Sequence, residues 1–301
     1  MSFTTETVEE LLGLQGGKTC CKKALLLGLF FSGRVLEGKN TAEAVFRAEE
    51  IGRLAEELLK KQFSSDAATE QKTHAGRVVF TVQARSKALF NFIKEVDSAS
   101  EKTIQDIAAF RCGNCKSDFL RGVFLASGTI NDPQKGYHLE FSLPSEERAR
   151  RLSDFLAEEI VAPKLVKRKN RIGVYYKSNG SISDILYYMG ASKNSFDVAN
   201  AYVVRDIRNR ENRATNCVAT NISRSVEAAQ RQISAIEYLE SRHKLQSLPE
   251  EIQYTAKLRI ENDSATLAEL AMLHNPPITK SGLNQRLTKI LRLAEELKQK
   301  E

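Results

Sequence analysis

The sequence predicts an α+β chain in which a pseudo-symmetric duplicated domain over residues 1–203 is followed by an all-helical domain over 222–301. Three observations predict it. Two apolar segments repeat each other at a fixed offset, each copy mixes helical with strand-like periodicity, and the C-terminal stretch shows helical periodicity alone.

The repeat is carried by Cys20–Gly33 (CCKKALLLGLFFSG) and Cys115–Gly128 (CKSDFLRGVFLASG), each an apolar run closing on Ser-Gly. An offset of 95 residues pairs Cys20 with Cys115, Leu25 with Leu120, Ser32 with Ser127 and Gly33 with Gly128. The same offset reaches Phe46 with Phe141, Val79 with Val174, Phe80 with Tyr175 and Ser86 with Ser181, so one constant register is expected across copies at about 20–97 and 115–192. Each copy opens with an apolar helix ending at glycine, Ala24–Gly33 and Phe119–Gly128, because glycine suits a helix C-terminus. Extended pieces follow at Ala44–Arg47 and Tyr137–Leu143, the second alternating as a half-buried strand does. Amphipathic helices come next at Ile51–Gln62 and Glu146–Ile160, then strands at Arg77–Gln83 and Arg171–Lys177, then helices at Lys87–Val96 and Ile182–Met189. No strand precedes either first helix, so these are not parallel βαβ units.

Net charge is +7, and it is concentrated. Between Lys164 and Arg213 stand eleven Lys and Arg against four acids, a cationic stretch that attracts polyanions such as nucleic acid. Within it, Arg205, Arg208, Arg210 and Arg213 alternate with asparagines over a segment, 204–221, that reads as an Asn/Arg-rich linker; guanidinium groups fork onto phosphate oxygens. A linker helix that salt-bridges to the neighbouring domain is the other reading. No run is long enough for a membrane span, and the N-terminus lacks a signal-peptide pattern, so a cytoplasmic chain is expected. The five cysteines, at 20, 21, 112, 115 and 217, form an odd set unsuited to a disulfide framework. Cys112-Gly-Asn-Cys115 has the spacing of half a zinc site, with the adjacent Cys20 and Cys21 as candidates for the rest; that second pair lacks the usual spacing and the four histidines are scattered, so the expectation is small, semi-buried thiols with no metal. Gly16-Gly-Lys-Thr19 imitates the end of a phosphate-binding loop, yet Leu12 stands where its first glycine is required.

The C-terminal region reads as a helix over Ile222–Arg242 with Val226, Ala229, Ile233, Ile236 and Leu239 inward. A helix opened by Pro249 follows, with Ile252, Ala256, Leu258 and Ile260 inward, then a helix-turn-helix at about 265–297. Thr266–Leu273 and Thr279–Leu297 flank the breaker His274-Asn-Pro276-Pro277. Leu283, Leu287, Ile290 and Ala294 form the inward stripe of the last helix and pack on Leu267 and Leu270. Rotation away from that stripe puts Ser281, Gln285, Thr288, Lys289 and Arg292 outward, with Asn284 and Arg286 at the flanks and Lys280 at the start. Asn, Gln and Arg are the residue types that read base edges in pairs of contacts, and basic ones hold phosphates.

Residues 120–128, Leu-Arg-Gly-Val-Phe-Leu-Ala-Ser-Gly, resemble the signature helix of the LAGLIDADG homing endonucleases: Leu120, Gly122, Ala126 and Gly128 agree, and Phe124 is an apolar equivalent. The first copy keeps mainly the apolar character and the final glycine. The resemblance implies two α-β-β-α-β-β-α copies with saddle-shaped antiparallel sheets, joined through closely packed first helices. In that family the acid before the last glycine binds a catalytic metal ion. Ser32 and Ser127 stand at those positions here, and a hydroxyl is a poor anchor for a hard cation, so the expectation is no catalytic residue, no cofactor and no enzymatic activity.

Taken over its full length, the chain resembles the bacterial WhiA family. The resemblance rests on Phe119–Gly128, Gly136-Tyr-His-Leu-Glu140, Asp206 with Arg208-Asn209 and Asn212-Arg213, Asn216-Cys217, and Pro276-Pro-Ile-Thr-Lys-Ser-Gly282. It implies a non-enzymatic, nucleoid-associated protein that binds double-stranded DNA, acts in cell division and chromosome segregation or in transcription and sporulation control, and engages a transcription or division protein through the repeat domain. A DNA-tethered scaffold and an active endonuclease are the competing readings. The short link after Gly33 puts the sheet of the first copy in question.

Overall fold

The computed structural model describes all residues except 1, 15–16, 37–39, 64–66, 75, 99 and 300–301, so Gly16 of the Gly-Gly-Lys-Thr segment lies outside the described residues. The chain divides into two compact units, 1–206 and 207–301.

The first unit contains α1 (Phe3–Gly13), α2 (Thr19–Phe30), β1 (Arg34–Leu36), β2 (Thr41–Phe46), α3 (Glu49–Phe63), β3 (Ala67–His74), β4 (Arg77–Arg85), α4 (Lys87–Asp97) and α5 (Ile104–Ala108). Its second half repeats the plan with α6 (Asn114–Ser127), β5 (Gly128–Ile130), β6 (Leu139–Leu143), α7 (Glu146–Glu159), β7 (Lys164–Lys167), β8 (Ile172–Tyr176) and α8 (Asn179–Tyr188). Each copy therefore reads α-β-β-α-β-β-α. The sheets have matching orders, β1-β2-β4-β3 and β5-β6-β8-β7, with antiparallel neighbours throughout, so the first copy builds a full sheet despite the short link after Gly33.

Local chemistry explains the elements. Helix α3 buries Ile51, Ala55, Leu58 and Leu59 along one face, while its outer face pairs Arg53 with Glu49 and Lys60 with Glu56, each at 2.6 Å one turn apart. Strand β2 turns Ala42, Ala44 and Phe46 into the core. Glu43, on its other face, is buried only because Arg34 donates to it at 2.6 Å and Gln83 at 2.7 Å. Phe119 of α6 stacks edge-on against Phe31 at 5.5 Å and Phe155 at 5.8 Å, contacts worth about 0.5–1.5 kcal/mol each beyond their buried area. These rings join the two copies across one continuous core.

Helices α2 and α6 cross at two glycines. A Cβ on Gly28 would lie 2.1 Å from the Phe119 carbonyl oxygen, and one on Gly122 would lie 2.2 Å from that of Leu25. Only bare backbone permits so close an approach. This crossing corrects the expected register. Gly28 and Gly122 are 94 residues apart, as are the first residues of β1 and β5, Arg34 and Gly128. The sheet partners then drift: Glu43 opposite Arg34 corresponds to Phe141 opposite Gly128, a separation of 98, whereas Gln83 and Val174 on the next strands are 91 apart. Loops of unequal length in the two copies destroy any single offset, and 95 lies within the range of 91 to 98 that these separations span. In the corrected register Ser127 of the second copy answers to Gly33 of the first, and Ser32 answers to Ala126.

Two helices absent from the sequence reading complete the unit. Thr4 of α1 donates to the Ile130 carbonyl at 2.7 Å, and its hydroxyl accepts from Ile130 N–H at 2.9 Å, which satisfies the edge of β5. Glu10 of α1 accepts from the backbone N–H groups of Lys193 at 2.7 Å and Asn194 at 3.0 Å, capping α9 (Ser192–Ser241). The expected linker at 204–221 is therefore part of a continuous 50-residue helix. α5 is a short turn closed by the Thr103–Asp106 capping box.

The second unit adds α10 (Glu250–Glu261), α11 (Leu267–Met272) and α12 (Lys280–Lys298). Its core gathers Ile236, Leu239, Ile252, Ala256, Leu258, Leu270, Leu283, Leu287, Ile290 and Ala294. Two expected core residues stay outside: Ile260 is 40% exposed and Val226 49%. Thr255 and Arg259 take inward positions of α10 instead, the Arg259 guanidinium capping the turn before α11 by donating to the Ala265 carbonyl at 2.7 Å.

Candidate nucleic-acid interface

Helices α11 and α12 are set by local chemistry at both starts. Thr266 and Glu269 form a reciprocal capping box at α11. The Thr279 hydroxyl accepts from Gly282 N–H at 3.1 Å at the start of α12. Between them, Ile278 N–H donates to the Ala271 carbonyl at 3.1 Å, closing the turn.

His274 fixes this turn. Its imidazole is buried, with Nδ1 3.0 Å from the Leu270 carbonyl and Nε2 3.0 Å from the Thr255 hydroxyl. A carbonyl only accepts, so Nδ1 carries the proton and Nε2 faces a hydroxyl also within 2.9 Å of the Glu251 carbonyl. The ring meets Tyr254 edge-on at 5.6 Å. His274→Ala strands a buried carbonyl and opens a void, so we expect a loss of about 1–3 kcal/mol in the second unit. Thermal unfolding followed by circular dichroism checks it; an unchanged transition would show that the turn holds without the ring.

With Leu283, Leu287, Ile290 and Ala294 buried, the opposite face of α12 presents Lys280, Ser281, Asn284, Gln285, Thr288, Lys289 and Arg292, all exposed. Arg292 pairs with Glu296 at 2.9 Å, an exposed pair one turn apart and weak enough to yield to a phosphate. Arg286 differs from its neighbours. It is half-buried and donates to the Glu251 carboxylate at 2.7 Å, which ties α12 to α10. A face that combines amide side chains near the helix start with cations along its length is the outline of a recognition helix.

Arg205, Arg208, Arg210 and Arg213 all lie on α9. Arg205 is engaged: it donates to the carbonyls of Pro133 at 3.1 Å and Gln134 at 2.7 Å and lies 4.9 Å from the centre of the Tyr137 ring. These contacts hold the loop before β6. Arg208, Arg210 and Arg213 are exposed.

The C-terminal ends of α2 and α6 border a cleft of about 810 Å³ lined by Ser32, Ser127, Glu43, Arg34, Arg47 and Arg171 among others. The Ser127 hydroxyl bonds back to the Val123 carbonyl at 2.9 Å. Arg47, from the first copy, donates to the carbonyls of Phe124 at 3.1 Å, Leu125 at 3.4 Å and Gly128, at the end of α6. Arg148, from the second copy, donates to those of Phe31 at 2.7 Å and Gly33 at 2.6 Å, past the end of α2, and is held by Asp97 at 2.7 Å. Each copy thus supplies a guanidinium that caps the other's central helix, where the negative end of the helix dipole favours a cation. Burial lowers the pKa of Arg47 and of Arg171. The sequence reading missed Arg47, Arg148 and His274; a buried arginine has the sequence signature of a surface one, and only its apolar neighbours at helical spacing hint otherwise.

Comparison with known proteins matches these units. The model of the WhiA LAGLIDADG-like domain matches residues 116–208, and that of the WhiA C-terminal HTH domain matches 212–294. The chain is 34% identical over 312 residues to a probable cell division protein WhiA of Alkaliphilus metalliredigens, covering 98% of each, and 33% identical over 311 residues to that of Carboxydothermus hydrogenoformans, covering 99% of this chain and 98% of the relative. The crystal structure of full-length DUF199/WhiA from Thermatoga maritima superposes with a TM-score of 0.60 at 24% identity, covering 98% of this chain and 99% of that one. Two relatives above 30% identity match the chain over almost its whole length, both family models carry the same name, and the chain belongs to the WhiA family.

Proposed function

We propose that this chain is a non-enzymatic, nucleoid-associated protein that binds double-stranded DNA through α12 and acts in cell division and chromosome segregation or in transcription control. The observation that carries the reading is the exposed row Ser281, Asn284, Gln285, Lys289 and Arg292 on a helix whose opposite face is anchored in the core. Lys280 begins that row. Arg208, Arg210 and Arg213 on α9 add cationic surface for phosphates. The relatives' description as probable cell division proteins supports the biological setting.

The absence of chemistry rests on what stands at the ends of α2 and α6. The resemblance to the homing endonucleases puts their metal-binding acids at Ser32 and Ser127, or at Gly33 and Ser127 in the register of the helix crossing, and none of these residues carries a carboxylate. Arg47 puts positive charge at the end of α6, where a divalent cation meets repulsion, and at the end of α2 the carbonyls of Phe31 and Gly33 are already taken by Arg148, itself paired with Asp97. Glu43 is already neutralised by Arg34.

The test is fluorescence anisotropy of labelled duplex DNA with the full chain, titrated from low to high salt with and without magnesium. Binding is expected to weaken linearly in log[salt] with a slope of about −0.9 per phosphate contact, and the duplex is expected to stay intact. Binding that ignores salt would count against the phosphate contacts, and magnesium-dependent cleavage would overturn the non-enzymatic reading.

A further inference from the structure

At the opposite, N-terminal ends of α2 and α6, four cysteines converge. Cys20 and Cys21 lie in the first turn of α2; Cys112 stands just before α6 and Cys115 in its first turn. Their sulfurs all fall within 4.8 Å of one another. Cys112 Sγ is 3.7 Å from that of Cys20, 3.5 Å from that of Cys21 and 3.5 Å from that of Cys115. In sequence, the adjacent Cys20 and Cys21 lack the usual half-site spacing, which is why spacing alone argues against a metal. The fold pairs their turn with the Cys112–Cys115 turn, in which Cys115 N–H donates to the Cys112 carbonyl at 3.0 Å.

We propose that Cys20, Cys21, Cys112 and Cys115 hold one zinc ion in a closed tetrathiolate site that ties the N-terminal ends of α2 and α6 together. The distances carry the assignment. With zinc–sulfur bonds of about 2.3 Å, a tetrahedron of four sulfurs has edges of about 3.8 Å, close to the three separations above. A disulfide requires sulfurs about 2.05 Å apart, and it would use two of the four thiols. A multi-iron cluster needs a wider cage than sulfurs within 4.8 Å provide.

The surroundings suit the charge of such a centre. Four thiolates around a divalent ion leave a net charge of −2, and the site sits at two helix N-termini, whose partial positive charges favour anions. Lys18, Lys22 and Arg111 flank the cysteines in sequence, Lys116 is paired with Glu159, and the one carboxylate bonded to the group, Asp118 beside Cys21, is itself paired with Arg121 at 2.8 Å. Cys21 and Cys115 are buried, while half-buried Cys20 also borders an open cleft of about 490 Å³ that gives an ion a way in. Four protein ligands leave no open position, so the role is structural. The metal would staple copy one to copy two at one end of the crossing, as the arginine caps do at the other.

The experiment is elemental analysis of the full chain purified under reducing conditions without chelator. One zinc per chain is expected. Cobalt replacing it should give the intense visible absorption and sulfur-to-metal charge-transfer bands of a tetrahedral tetrathiolate. A mercurial reagent added to the native protein should release the zinc as thiols are titrated, a readout that needs no variant to fold. Cys112→Ser and Cys115→Ser should each lose at least tenfold in zinc affinity, whereas Cys217→Ser, changing an exposed cysteine of α9, should retain the metal. Four free thiols with no metal, a disulfide found by mass spectrometry, iron in place of zinc, or full zinc in the Cys112→Ser protein would each overturn the proposal.

Discussion

Replacing Gly122 by alanine is expected to destabilise the repeat domain by about 3 kcal/mol, the upper end of ordinary overpacking. For a unit of this size that corresponds to a fall of roughly 6–12 °C in Tm. The cause is the 2.2 Å approach a Cβ would make to the Leu25 carbonyl, which is backbone and has no rotamer with which to yield. The helices must separate, and separation loosens the aromatic contacts of Phe31 and Phe119. Gly28→Ala acts on the same crossing, so the double variant should cost less than the two singles added together. Gly13→Ala is the control, since a Cβ there meets nothing within 4 Å. Differential scanning calorimetry separates these cases, and an unchanged Tm for Gly122→Ala would mean that the helices do not cross as described.

Removing Lys280, Lys289 and Arg292 together, each to alanine, is expected to weaken duplex binding about a hundredfold near physiological salt and to reduce the magnitude of the salt slope by about 2.7. All three are exposed and none belongs to the core, so the unfolding transition should stay within about 0.5 kcal/mol of the parent. Ser281, Asn284 and Gln285 behave differently under the same reading. Their substitution should leave the slope intact and reduce discrimination between sequences, because base contacts specify and phosphate contacts position. Arg286→Ala is a poor probe of contact, since it also breaks the tie to Glu251. Parent-like affinity in the triple variant would move the interface away from α12.

Much of this was legible in the sequence. The outer face of α12 and the core stripe Leu283, Leu287, Ile290, Ala294 followed from helical period alone, because α12 is long and its caps are local. The second copy was clearer than the first: Leu120, Gly122, Ala126 and Gly128 keep a recognisable motif, while α2 is apolar on nearly every side and hides its register. The edge strands β1, β3, β5 and β7 escaped individual notice because short or polar edges carry weak alternation; β3, Ala-Ala-Thr-Glu-Gln-Lys-Thr-His, is the clearest case. Helix α1 is held by Thr4 on Ile130 and Glu10 on Asn194, partners more than a hundred residues away that local patterns cannot display. The structural engagement of Arg205 escaped notice for a related reason. A guanidinium suits a ring of Tyr137 and two carbonyls as well as it suits a phosphate, and sequence does not separate the two uses.

The exchanged arginine caps bear on how the two halves depend on each other. Arg47 follows the second strand of its copy, whereas Arg148 lies in the first turn of that copy's middle helix. They do the same work from non-equivalent places. Each half carries only the one its partner lacks, so neither can be exchanged for a second copy of the other. The two halves pair as unlike partners within one polypeptide, and either half without the other would leave a central helix uncapped.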